Sequence, residues 1–251
     1  MPYGLYISAE GAHAQSRRME VISNNLANVE TPGFKRDLAL FQSRYAEDIV
    51  QGQVMPGRGA AEDIGGGVWF RGTETDFSPG ALKQTGIKSD LAINGDGFFV
   101  IEREGKEYLT RAGNFLFNSD GRLVTQDGDA VLSDAGTPIE IDASLPWSMT
   151  PDGAIQQGAD SIPLAINRPT QPGDLTKLGE NLFQALAPAE PVPDELRDVR
   201  GGYLEMSGVK PTLEMLEMIE TSRAFEANIN MIKNHDAILN SLVNRVLRSN
   251  A

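Results

Sequence analysis

The chain is 251 residues long, carries a net charge of −13 and contains no cysteine. Nucleic-acid and anionic-lipid partners need a basic surface that displaces counterions, so this charge argues against both; the missing thiols rule out disulfides, zinc–thiolate sites and a cysteine nucleophile. The length leaves room for two or more small modules, and no run approaches the roughly 18 apolar residues of a membrane span.

The opening "MPYGLYISAEGAHAQSRRMEV" has no basic segment followed by an apolar core, so a cleaved secretory signal is not expected. Residues 1–30 read as a helix: Leu5, Ala12, Met19 and Leu26 recur every seven residues, and Ala9, Ile22 and Ala27 widen the stripe. A helix from Tyr3 to about Asn28 makes a rod of about 39 Å. Asn24, Asn25 and Asn28 then lead into Thr31, Pro32, Gly33 and Phe34. Asparagine tolerates left-handed backbone angles and Pro-Gly suits a type II turn, so this elbow ends the helix and re-aims the chain. Its amides either cap their own helix or satisfy other groups at the elbow.

Residues 31–79 read as this turn followed by a Gly-rich connector. Phe34 to Tyr45 fits a short helix or an extended strap, and Glu47 to Gly72 has little periodicity, as expected of a long connector with a functional role. Trp69 and Phe70 fall in it and are the expected lateral contacts, since an exposed tryptophan there otherwise lacks a reason.

Residues 80–185 change to strand and turn. Asn94-Gly95, Asp96-Gly97, Asp120-Gly121, Asp127-Gly128 and Asp152-Gly153 punctuate short apolar runs, which is the pattern of a compact antiparallel β domain. Residues 186–210 read as a charged, Pro-containing linker. Residues 211–251 return to helix: Met218, Phe225, Ile232, Leu239 and Val246 form an unbroken seven-residue ladder, edged by Met215, Ile229 and Leu242. Pro211 suits a first helical position, and Glu214, Glu217 and Glu220 sit near the positive end of the helix dipole. The expected fold is therefore α+β, with long terminal helices forming a coiled-coil-like stalk around a central antiparallel β domain. The C-terminal helix is longer than its N-terminal counterpart, so its far end needs a further partner.

Residues that could carry chemistry are sparse. The aspartates of the Asp-Gly turns lack the alternating ligand pattern of a calcium loop. His13 and His235 stand one on each terminal helix with no metal-binding motif around them. No Gly-x-Ser-x-Gly elbow marks a serine nucleophile, and "GGGVWF" lacks the lysine and helix of a phosphate loop. No catalytic residue, metal or cofactor is expected. Phe98, Phe99, Phe115 and Phe117 are the aromatic concentration of the middle and read as core.

Four stretches resemble the flagellar rod and hook proteins: "NNLANVETPGF", "DLAINGDGFFVI", "YLTRAGNFLFNSDGRLV" and "GYLEMSGVKPTLEMLEMIETSRAFEANINMI", in that order. The short chain and "GVKPTLEM" resemble the proximal rod members more than the distal ones, and the hook members least. The resemblance implies a non-catalytic shaft subunit of the basal body that passes through the flagellar export apparatus without a cleaved signal. It also implies helical stacking on copies of itself and on other rod proteins, terminal helices lining the tube, and elbow amides that reach neighbours. The rival reading from the residues alone is a ligand-binding β module with a helical dimerisation stalk. That reading calls for a concave pocket, whereas the shaft reading calls for open-ended contacts and no dominant pocket.

Overall fold

A computed structural model describes residues 3–45, 52, 65–142 and 144–249, with side-chain surroundings given for residues 4–45, 52, 65–142, 144–171 and 173–245. The chain divides into two compact units, one built from residues 1–27, 37–74 and 210–251, the other from residues 28–36 and 75–209.

The first unit holds helix α1 (Tyr3–Ala27), strands β1 (Asp37–Ser43) and β2 (Val68–Thr75), and helix α2 (Pro211–Ser249). The helices run antiparallel: Gly4 lies against His235, Gly11 against Asn228, Arg18 meets Glu217, and Asn25 meets Glu214. Pro211 opens α2 because its missing N–H would be unpaired there in any case, and Lys210 O accepts from the Glu214 amide at 3.1 Å to start the ladder. β1 and β2 form a two-stranded sheet. The segment after Phe34 is thus extended, and Trp69 and Phe70 stand in a strand rather than in a loose connector. Residues 47–51 and 53–64 of the expected connector lie outside the described residues.

The second unit is all strand and turn. Its strands are β3 (Leu82–Gln84), β4 (Leu91–Ile93), β5 (Phe98–Arg103), β6 (Lys106–Thr110), β7 (Leu116–Phe117) and β8 (Leu123–Val124). They continue with β9 (Ala130–Val131), β10 (Ser148–Met149), β11 (Ala154–Gln157), β12 (Asp160–Pro163) and β13 (Ile166–Arg168). Then follow β14 (Leu175–Gly179), β15 (Leu182–Ala185), β16 (Glu190–Pro191), β17 (Val199–Gly201) and β18 (Tyr203–Glu205). The main sheet runs β14-β15-β6-β5-β9-β8-β7, with β13 and β16 attached through β5. The stretch read as a linker carries β16, β17 and β18, which pair with β13, β4 and β3.

β5 explains why "GFFVI" runs apolar instead of alternating. Neighbouring side chains of a strand point to opposite faces, and here both faces are covered. Phe99 and Ile101 join one buried cluster with Phe115, Leu123, Val131 and Ile166, whereas Phe98 and Val100 join another with Phe183 and Leu132. Three Asp-Gly pairs are hairpin turns: Asp120-Gly121 joins β7 to β8, Asp127-Gly128 joins β8 to β9, and Asp152-Gly153 joins β10 to β11. Each of these glycines has a φ of +79° to +93°, which Cβ-bearing residues rarely adopt. Asn94-Gly95 is different. It links β4 and β5, which belong to different sheets, so it redirects the chain without closing a hairpin.

Candidate functional site

The elbow residues divide between the two units. In the second, Asn28 O accepts from the Thr31 amide at 3.2 Å and its Oδ1 accepts from Thr31 Oγ1 at 3.2 Å, closing the turn that Pro32-Gly33 completes. Gly33 has a φ of +69°, and a Cβ built on it would stand 2.4 Å from the Arg111 carbonyl carbon. Close backbone approach therefore requires glycine. Pro32 O accepts from Asn181 Nδ2 at 3.0 Å, Gly33 N donates to Glu205 O at 2.8 Å, and Phe34 O accepts from Gly208 N at 3.0 Å. Phe34 is buried beneath Lys177, whose ammonium lies 3.9 Å from the ring centroid and donates to Lys35 O.

Behind this strap lies a buried charge cluster that sequence reasoning missed. Glu205 Oε1 accepts from Lys35 Nζ at 2.6 Å and from Gly80 N at 2.8 Å, while Oε2 accepts from Arg111 Nη1 at 3.1 Å. Lys35, Glu205 and Arg111 are 1%, 2% and 5% exposed. Burial pushes the Lys35 ammonium below its usual pKa, against the opposing pull of Glu205, and burial likewise lowers Arg111. Arg111 also donates from Nη1 to Ile93 O and from Nη2 to Gly95 O, its buried Nε has no hydrogen-bond partner among the described residues, and the guanidinium lies over Phe98. One carboxylate thus ties the strap, β18 and the segment before β7 together.

In the first unit Asn25, 1% exposed, pairs with the backbone of Asp37 in both directions: Nδ2 donates to Asp37 O at 2.8 Å and Oδ1 accepts from Asp37 N at 3.0 Å. Its Nδ2 also lies 3.5 Å from Glu214 Oε2, itself buried. Asn25 therefore satisfies the first residue of β1 and the first turn of α2, which is more than capping its own helix. Asn24 is exposed.

Ala12 is buried, and Leu5, Met19, Leu26, Met218, Phe225 and Ile232 are half-buried on the helix pair. Leu239 is 37% exposed, and the Val246 side chain lies outside the described residues. The line of closest approach runs one position earlier on α1, through Gly4, Gly11, Arg18 and Asn25, and faces Glu214, Thr221, Asn228 and His235 on α2. A Cβ on Gly11 would stand 2.9 Å from Asn228 Oδ1, and one on Gly4 would stand 3.0 Å from His235 Nε2. Both lines recur every seven residues, a polar and glycine heptad beside the apolar one. His13 is nine residues along α1 from Gly4, so the helices do not bring the two histidines together. From about Ile238 onward, α2 has no described α1 residue opposite it, and Ile238, Leu242 and Val243 are each more than half exposed.

On the sheet pair β1–β2, Trp69 is 58% exposed, and Phe70 stacks edge-to-face on Phe41 at 5.8 Å. The β unit contains a cavity of about 490 Å³ where Phe77 and Phe98 meet Asp96, Arg111, Arg168 and Glu190. Among the described residues no cluster of three or more histidine or acidic side chains could hold a metal, and no helix is long and apolar enough to cross a membrane.

Three family descriptions match: "Flagella basal body rod protein" over residues 5–35, "Flagellar hook protein FlgE/F/G D1 domain" over residues 92–157, and "Flagellar basal body rod FlgEFG protein C-terminal" over residues 200–245. The chain is 32% identical to the flagellar basal-body rod protein FlgF of Caulobacter vibrioides, across all of both chains. It is 34% identical to FlgG of Bacillus subtilis, covering 96% of this chain and 97% of that one. With FlgG of Agrobacterium fabrum the identity is 35%, over 97% and 99% of the two chains.

Proposed function

The chain belongs to the flagellar basal-body rod protein family, and from that premise we propose that it is a proximal-type subunit of the rod that stacks on copies of itself and on other rod proteins. It is a structural component of the basal body, not an enzyme. The observation that carries the stacking is the unmatched end of α2. Ile238, Leu242 and Val243 present an apolar face with no described α1 residue opposite, and burying such side chains is worth about 1.5–3 kcal/mol each. Helices of neighbouring subunits cover it in a coiled-coil-like stalk, with Trp69 and Phe70 as lateral contacts. The cavity of the β unit supports the ligand-binding rival only weakly, because its two cations and two carboxylates oppose each other and set no single ligand charge.

The proximal reading rests on the short chain and on "GVKPTLEM", and the end-to-end match to the Caulobacter FlgF is compatible with it. The slightly higher identity to FlgG chains supports a distal subunit as the second reading. Export without a cleaved signal through the flagellar apparatus completes the proposal. The test places Ile238→Asp and Leu242→Asp together in a motile host, alongside complementation of strains lacking either FlgF or FlgG. Rod assembly and swimming are lost while melting of the β unit is unchanged, and only the FlgF-deficient strain is rescued by the wild-type chain. Normal swimming of the double variant would remove the overhang from the mechanism.

A further inference from the structure

The one Asn-Gly pair of the chain did not become a hairpin, and its surroundings give it another chemistry. Asn94 and Gly95 are both exposed, on the link between β4 and β5. Gly95 has a φ of +147° and nothing within 4 Å of where its Cβ would be, so the residue after the asparagine offers no steric screen. The Asn94 backbone N donates to Asp198 O at 2.7 Å, and Nδ2 donates to Asp198 Oδ2 at 2.5 Å. The carbonyls on either side, of Ile93 and Gly95, both accept from the buried Arg111 guanidinium.

We propose that Asn94-Gly95 is a deamidation site, held in its amide form by Asp198 in the folded chain. The reaction needs no co-reactant but water. The Gly95 backbone nitrogen loses its proton to solvent base and attacks Asn94 Cγ. The Cγ–Nδ2 bond breaks, ammonia leaves with a proton from water, and a five-membered imide forms. Water then opens the imide at either carbonyl, giving aspartate or isoaspartate at position 94, for a net gain of water and loss of ammonia.

Asp198 opposes this in two ways. Its carboxylate fixes the side-chain amide by accepting from Nδ2, which restrains the rotation that presents Cγ to the Gly95 nitrogen. An N–H donated to a carboxylate also strengthens the amide resonance and makes Cγ a poorer electrophile. The Asn94 hydrogen bond in turn lowers the Asp198 pKa, so the partner is an anion and supplies no proton to the leaving ammonia. Reaction at this site also disrupts its own surroundings. The product carboxylate replaces a donor with an acceptor beside Asp198, and the isoaspartate form lengthens the main chain between the two carbonyls that anchor Arg111.

The experiment incubates the full-length chain at mildly alkaline pH and follows position 94 by peptide mapping, with isoaspartate read by enzymatic methyl transfer. Wild type, Asp198→Ala and Asn94→Gln are compared, and conversion at the exposed Asn118-Ser119 in the same digests controls for a change in rate not specific to position 94. Asp198→Ala converts position 94 several-fold faster than wild type with no change at Asn118, and Asn94→Gln gives no isoaspartate at the site. Equal rates in wild type and Asp198→Ala, or a parallel rise at Asn118, would overturn the assignment of Asp198 as the restraint. None of these readouts depends on rod assembly, so the proposal stands or falls apart from the family function.

Discussion

Replacing Glu205 by glutamine tests whether one carboxylate holds the strap onto the β unit. The substitution is nearly isosteric and Oε1 still accepts from the Gly80 amide, which it meets at 2.8 Å, so packing and that bond survive. What disappears is the negative charge hydrogen-bonded to both Lys35 and Arg111, two cations that are 1% and 5% exposed. Breaking a buried ion pair by removing one partner costs about 3–5 kcal/mol, because the remaining charge stays desolvated. For a unit of roughly 140 residues, at about 3 °C per kcal/mol, the melting temperature falls by about 9–15 °C. The pH dependence gives an independent sign. Burial holds the folded Lys35 pKa below the ordinary lysine value of 10.5, so the unfolded chain binds the proton more tightly and stability rises with pH from the folded pKa up to about 10.5. In Glu205→Gln the opposing pull on Lys35 is gone, the folded pKa drops further, and the recovery on raising pH is larger than in wild type. Calorimetry and near-UV circular dichroism of the full chain across this range read both effects. A variant melting within about 2 °C of wild type, with the same pH slope, would refute a charge-based tie.

Two further substitutions probe the helix pair. Asn25→Asp removes the donor to Asp37 O and sets a carboxylate beside Glu214; a loss of about 2–3 kcal/mol is expected from thermal melts followed by far-UV circular dichroism. Gly11→Ala gains about 1 kcal/mol of helix propensity in isolation but drives a Cβ to 2.9 Å from Asn228 Oδ1. It should therefore destabilise the chain, and Asn228→Ala added to it should restore stability above wild type. Stabilisation by Gly11→Ala alone would show that the seam is loose.

Both terminal helices were legible because their apolar residues repeat at seven, a local property of residue order that can be read along the chain. The line of closest approach was not, since glycine and asparagine carry no hydrophobic signal. Only the facing repeat of Glu214, Thr221, Asn228 and His235 marks it. At the elbow, Pro32-Gly33 announced a turn, and its glycine requirement follows from Arg111, far away in sequence. Lys35, Arg111 and Glu205 were opaque for the same reason. Single charged residues at wide separation read as solvated until the chain folds them together. Strand β17 hid in a charged stretch because its pairing with β4 is long-range and only Val199 of its three residues is buried.

By itself the sequence determined the α+β order, the two long helices, the Asp-Gly hairpins and the family, because periodicity, turn chemistry and motif order are all written along the chain. Tertiary structure alone decided the antiparallel helix register, the end of α2 that no described α1 residue faces, the buried Lys35–Glu205–Arg111 cluster and the grip of Asp198 on Asn94. These depend on which distant residues share one small volume, where loss of water makes a single charge or a missing Cβ decisive.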